Sequence, residues 1–213
     1  MDSNGPHPPA LIVGFHGYGI DASQIATLMA MAPDFNHVYL APQGFHELDD
    51  GTRGWFPIQI VDGQPAIDPA DLESALNRLA GYLTAAVEQT QTDPSRVYVV
   101  GYSQGGVLAI TMAMARPQTA RAFVGFAGSI RDEAWGLIAP REDLAATQLF
   151  IGHGTLDGFT PMESITIGTE RLSDAGLHVE LTAYRVPHVV SGAQRRDMQA
   201  WLERLDATVF DRR

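Results

Sequence analysis

Three residues, Ser103, Asp157 and His188, have the side chains needed for acyl transfer. A serine hydroxyl is a weak nucleophile until a base takes its proton, and an imidazole base works best when an acid holds it in one tautomer. Ser103 stands in Gly101-Tyr102-Ser103-Gln104-Gly105-Gly106. The G-x-S-x-G spacing is that of a nucleophile elbow, a strained strand-to-helix turn whose flanking glycines avoid a Cβ clash with the neighbouring strand and helix. By itself the same spacing also fits a glycine-rich turn in an ordinary βα unit. The context favours the elbow, because an apolar run over 97–100 precedes it. After it, Val107, Leu108, Ile110 and Met114 recur at helical spacing up to Arg116, where Pro117 stops the pattern.

The rest of the chain must bring the acid and the base to that serine. Apolar runs over 10–15, 38–41, 97–100, 122–126, 148–151 and 179–186 read as strands. Helical segments alternate with them. One opens at Asp21-Ala22-Ser23 and runs to Met31, before Pro33. A second opens at Asp68-Pro69-Ala70-Asp71, with a capping acid and a first-turn proline, and carries Leu72, Leu76, Leu79, Leu83 and Val87 on one stripe to about Thr90. A third covers 163–175 with Gly176 just past its end, and the last places Met198, Trp201, Leu202 and Leu205 on one face. This alternation predicts a single α/β domain over 10–213, with a mostly parallel sheet covered on both faces, behind a polar, proline-rich tail over 1–9.

In such sheets the functional loops gather at the carboxyl ends of the strands. The loops at 16–19, 101–105, 152–161 and 187–189 should therefore meet. Their order, serine then acid then histidine, is the α/β-hydrolase order and differs from those of the chymotrypsin and subtilisin types. Of the rival histidines, His7, His37 and His46 lie in the tail or early loops, and His178 opens a strand. His153 shares one short loop with Asp157, which does not readily line up both base and acid with one serine.

Two irregular stretches lack clear periodicity. The first, 42–68, contains the adjacent pair Trp55-Phe56, which could either pin the loop to the body or wall a pocket. The second, 130–147, holds Trp135, Leu137 and Ile138 in a polar background, suited to either the core or a ligand. No insertion is long enough for a separate helical lid. An acyl site walled by these two loops and open to solvent suits short- to medium-chain esters best.

Together, His16-Gly17-Tyr18-Gly19, the Ser103 elbow, His153-Gly154-Thr155-Leu156-Asp157 with Thr160-Pro161, and Pro187-His188 resemble the phospholipase/carboxylesterase family of α/β-hydrolases, which includes the acyl-protein thioesterases. The resemblance runs from about Leu11 to Leu205. It implies an α/β-hydrolase fold with no separate lid domain, and ester hydrolysis through an acyl-enzyme that uses neither metal nor organic cofactor. By the same resemblance, the backbone N–H groups of Tyr18 and Gln104 form the oxyanion hole. Trp55-Phe56 then lies near the acyl pocket, and the Trp135-Gly136-Leu137 segment borders the site. Thioesterase and lysophospholipase chemistry use the same triad. A non-catalytic binding protein on this fold is the alternative from another class, and the intact set of nucleophile, base, acid and oxyanion loop counts against it. Two positions depart from the family pattern: Pro187 replaces the glycine usual before the histidine, and Thr160 replaces a hydrophobic residue before Pro161. The first fixes φ and removes a donor beside the base.

Composition narrows the partners. A formal net charge of -11 with no local Lys/Arg cluster repels phosphate backbones and anionic lipid, so neither nucleic-acid binding nor stable membrane association is expected. The absence of cysteine excludes disulfides, Cys-ligated zinc and a thiol nucleophile. The apolar stretch over 10–13 is far too short for a signal sequence or a membrane span, and a cytoplasmic location is expected. Exposed Trp or Leu in the long loops would serve a homodimer contact as well as a pocket. Because an imidazole base must be neutral to accept a proton, activity should rise with pH through roughly 6 to 7.

Overall fold

The structure, a computed structural model, describes residues 7–28, 33–61 and 64–210. The strands are β1 (Ala10–Phe15), β2 (His37–Leu40), β3 (His46–Glu47), β4 (Arg53–Gly54), β5 (Gln59–Val61), β6 (Gln64–Ala66), β7 (Val97–Tyr102), β8 (Ala122–Phe126), β9 (Gln148–Gly154) and β10 (His178–Tyr184). The helices are α1 (Ala22–Leu28), α2 (Pro69–Thr90), α3 (Gln104–Ala115), α4 (Arg141–Leu144), α5 (Met162–Ala175) and α6 (Gly192–Phe210). The predicted continuation of the first helix to Met31 lies outside the described residues, as does the tail before His7.

Six strands form the central sheet in the order β10-β9-β8-β7-β1-β2, and every neighbouring pair is parallel. Parallel neighbours need crossover connections, and the helices that make them cover both faces. Strand β7 shows the consequence residue by residue. Val97 and Val99 point into one core with Leu72, Leu76 and Leu79 of α2 and most of α3. Tyr98 and Val100 point into the other, with Ile25 of α1 and Met198, Trp201 and Leu202 of α6. Sandwiched in this way, β7 can be apolar at successive positions instead of alternating with polar ones.

Helix α2 begins as its sequence dictates. Asp68 accepts a hydrogen bond from the Ala70 N–H at 2.8 Å, and Pro69 occupies the first turn. The structure corrects the reading of the two irregular stretches. Residues 42–68 contain two antiparallel ladders, β3 with β4 and β5 with β6, whose strands of two or three residues are too short to reveal an alternating pattern. Residues 130–147 contain a 3₁₀ turn at Asp132–Leu137 and the single-turn α4.

At the amino edge of the sheet, Arg96 and Asp206 tie α6 to β7. The guanidinium donates Nε–H and Nη2–H to the two carboxylate oxygens at 2.7 Å each, and the Tyr98 hydroxyl donates to Oδ1, also at 2.7 Å. Arg96 Nη1 reaches the Pro8 carbonyl at 3.0 Å, fastening the segment before β1. Among the described residues, no helix is long and apolar enough to cross a membrane.

Candidate active site

Ser103 occupies the single residue between β7 and α3, at φ 55 and ψ -116. A non-glycine residue at positive φ is costly and persists only when its surroundings force it. Two features force it here. A Cβ on Gly101 would strike the Gly105 carbonyl, and a Cβ on Gly105 would strike the Phe15 carbonyl, so strand and helix meet at backbone contact. The Ser103 N–H then donates to the Phe126 carbonyl at 2.9 Å, while the Ser103 carbonyl accepts from Val107 at 2.9 Å and begins the helix. The hydroxyl is left at the carboxyl end of the sheet.

His188 arrives from the loop after β10. Its Nε2 is 2.9 Å from Ser103 Oγ and its Nδ1 is 2.7 Å from Asp157 Oδ2. A carboxylate can only accept, so Nδ1 carries the proton and the Nε2 lone pair faces the serine hydroxyl. Asp157 is itself fully engaged: Oδ1 accepts the N–H groups of Phe159 at 2.8 Å and Thr160 at 3.1 Å. Burial pushes its carboxyl pKa up, but the His188 contact and the two backbone donors outweigh that and hold it below the ordinary carboxylate value. The two loops are also joined directly, since Thr155 and Leu156 donate their N–H groups to the carbonyls of Tyr184 and Val186. Pro187, whose ring departs from the family pattern, does not keep the imidazole from the serine.

Further contacts hold the imidazole from its sides. Tyr102 donates its hydroxyl to the His188 carbonyl at 2.9 Å, with the two rings 5.6 Å apart. On another side the Phe159 ring lies 4.8 Å away, itself 81% exposed, so the imidazole sits near the mouth of the cavity. His153, the rival base, is buried beneath Asp157, with its Nε2 2.9 Å from the Thr160 carbonyl.

The loop after β1, which carries Gly17 and Tyr18, is fixed by His16. Its Nδ1 is 2.7 Å from the Gly17 carbonyl, and its Nε2 accepts the Gly44 N–H at 2.9 Å. Burial lowers its pKa despite the Gly17 hydrogen bond and the charge of Asp21, so the ring is held neutral. Its own carbonyl accepts Trp55 Nε1–H at 2.8 Å, and the two rings lie 5.0 Å apart. Tyr18 and Gln104 border the same cavity as Ser103 and His188. Among the described residues, neither their backbone N–H groups nor the Ser103 hydroxyl, apart from His188, has a hydrogen-bond partner.

The cavity, of about 500 Å³, is walled on its apolar side by Phe56, Ile58, Pro65, Ile67 and Val107, with Ser129 and Arg131 beside them. The candidate substrate-binding residues therefore separate. Phe56 lines the cavity. Trp55 does not: it is buried behind the site against Phe15, His16 and Phe45, where it supports the wall without forming it. Trp135 is also outside the cavity wall: the Arg171 guanidinium lies over its ring at 4.0 Å, and the half-buried side chain packs against the core. The Gln104 side chain joins elbow to wall, accepting the Trp55 N–H and donating to the Phe56 carbonyl, each at 2.8 Å. The sequence carries no signal for that contact. The carboxyl end of Asp157 does have one, since an Asp in a Gly/Pro-punctuated loop commonly accepts N–H groups two and three residues on. Among the described residues no group of three or more His, Asp or Glu side chains could hold a metal ion.

A serine at a sharp strand-to-helix turn, met by a histidine and an acid from later strand-end loops of a parallel sheet, is the architecture of an α/β-hydrolase. Solved structures share it. A Bacillus cereus carboxylesterase superposes with a TM-score of 0.79 over 93% of this chain and 89% of that one, at 20% identity. Arabidopsis thaliana SOBER1 superposes with a TM-score of 0.77 over 92% and 99%, at 21% identity. The chain belongs to the phospholipase/carboxylesterase family, whose model matches residues 2–206. A rice (Oryza sativa subsp. japonica) protein named a probable carboxylesterase is 29% identical over 153 residues, 70% of this chain and 64% of that protein, so the match spans a little under two thirds of it. Carboxylesterase SOBER1 of Arabidopsis thaliana is 24% identical over 156 residues, 71% and 68% of the two chains.

Proposed function

We propose that this protein is a serine carboxylesterase acting on small-molecule esters of short- to medium-chain acids through an acyl-enzyme. The observation that carries this reading is the unbroken hydrogen-bonded chain from Ser103 Oγ through His188 to Asp157 Oδ2, at the wall of a largely apolar cavity.

Ser103 Oγ attacks the ester carbonyl as its proton passes to His188 Nε2. The C–O bond to the alcohol breaks, and the imidazolium returns that proton to the leaving oxygen. Water then attacks the acyl-serine, giving its proton to the same nitrogen, and the acid leaves as Ser103 recovers its hydrogen. Asp157 keeps the Nδ1 proton in place and stabilises the imidazolium without taking the proton. The N–H groups of Tyr18 and Gln104 stabilise the oxyanion, a contribution of about 10²–10³ in rate per donor. His16, Trp55 and the Gln104 side chain act as positioning residues for that loop.

The acyl chain lies against Phe56, Ile58, Ile67 and Val107, a surface suited to a few methylenes and open to solvent at its far end. A p-nitrophenyl ester series from acetate to palmitate reads this directly. Highest kcat/KM between four and eight carbons or so supports the reading, and a maximum at palmitate overturns the chain-length assignment.

A further inference from the structure

A second cavity, of about 300 Å³, adjoins the first. The two share Ile20, Gln24 and Tyr102, and Ser103 lines the first. His16, held neutral, and the apolar Val189 and Val190 make up much of the remaining wall. The single charged group in that wall is Arg195, in the first turn of α6.

Arg195 differs from Arg131, the cation of the first cavity. Arg131 already spends Nη2 on the Pro65 carbonyl at 2.8 Å and on Glu133 at 3.1 Å, so its charge is balanced within the protein. Among the described residues, the Arg195 guanidinium has no hydrogen bond and no ion pair, although its Nε is shut off from solvent. In a chain of net charge -11, an unpaired guanidinium in a concave and mostly apolar wall is the exception. Its planar fork of donors is matched by carboxylate and phosphate oxygens.

We propose that this cavity is a subsite for an anionic group, carboxylate or phosphate, on the alcohol half of the ester, held by Arg195. The proposal rests on the esterase reading above. The acyl half is assigned to the apolar arm at Phe56, Ile58 and Ile67, where a charge would be poorly solvated. The alcohol half is thereby directed past Tyr102 toward Arg195. The preferred substrates are then acidic esters, such as acylated hydroxy acids or acylated sugar and glycerol phosphates.

The test uses the butyryl esters of 3-hydroxybenzoate and 3-hydroxybenzamide, which differ in the charge of the leaving half. In the unmodified protein the anionic ester should have the higher kcat/KM. Arg195→Met should lower the anionic-to-neutral ratio by roughly tenfold or more, chiefly through KM, and Arg195→Lys should retain part of it. An unchanged ratio in Arg195→Met overturns the proposal. If Arg195→Met instead lowers kcat/KM for the p-nitrophenyl monoester of succinate, whose charge is on the acyl half, relative to p-nitrophenyl butyrate, the assignment to the alcohol side is overturned. Binding read without turnover separates this failure from that of the esterase reading. In Ser103→Ala, calorimetry should detect 3-hydroxybenzoate and lose it on adding Arg195→Met. Equal binding with and without Arg195 overturns the subsite, whereas absent hydrolysis of every ester, with Arg195-dependent binding intact, overturns only the esterase reading.

Discussion

The two ends of the central sheet are built on opposite principles. At the amino edge, Arg96, Tyr98 and Asp206 are sealed from solvent and satisfy one another, joining β7 to α6. At the carboxyl edge, Ser103 is held at positive φ, His188 lies near the mouth of a cavity, and the Arg195 guanidinium has no partner among the described residues. One end uses up its polar groups on itself and the other leaves them available. The loops that carry the site depend on a rigid frame, and the sealed end supplies part of that rigidity.

Mutations at the two ends should therefore separate activity from stability. The largest effect is expected at Ser103→Ala, which removes the proposed nucleophile and should lower turnover of p-nitrophenyl butyrate by several orders of magnitude. Its thermal midpoint should stay within a few degrees of the parent's, because alanine keeps the same Cβ at the same positive φ and only the hydroxyl is lost. Asp206→Ala should do the reverse. It strands a buried guanidinium and should destabilise the protein by about 3–5 kcal/mol in urea unfolding, with kcat/KM per folded molecule nearly unchanged.

Gln104→Ala lies between these extremes, since its side chain serves both frame and site. Loss of its contacts to the Trp55 N–H and the Phe56 carbonyl leaves buried groups unpaired, at a cost of about 1–3 kcal/mol. Urea unfolding reads that cost, and a larger loss on butyrate than on acetate would show the Phe56 wall moving. Tyr102→Phe is milder. Removing the hydroxyl that holds the His188 carbonyl should lower kcat by roughly 3- to 10-fold with little change in thermal midpoint.

The smallest effect is on pH dependence. Burial sets the folded His16 pKa below its ordinary value of 6.5, so in the interval between the two the unfolded chain binds the extra proton. Stability should then fall as pH drops from 6.5 through that interval. Asp157, held below 3.8 in the folded state, contributes stability that is complete above that value and is lost as pH falls through its folded pKa. Urea midpoints measured from pH 7 to pH 3 should show both losses, and the first should be absent in His16→Asn.

Much of this frame is legible in the sequence because it is governed by local rules. The apolar runs of β1, β7 and β8, the Asp68-Pro69 opening of α2 and the glycines around Ser103 each follow from sterics or burial within a few residues. Ser103, Asp157 and His188 can be nominated because their residue types and order restrict the choice, and the structure brings the three side chains into one chain of hydrogen bonds. Contacts that depend on tertiary placement are not legible. Nothing near Trp135 in sequence announces Arg171, and nothing near Gln104 announces Trp55, 49 residues away. The short ladders β3–β4 and β5–β6 also escape a periodicity reading, having too few residues to show one.

The central claim is that His188 and Asp157 activate Ser103 and no other serine. A fluorophosphonate probe, followed by intact mass and peptide mapping, tests it most directly. One adduct per chain, located on Ser103 and strongly slowed in His188→Ala, is the predicted result; no adduct, or labelling at another serine at the same rate in both proteins, would contradict it.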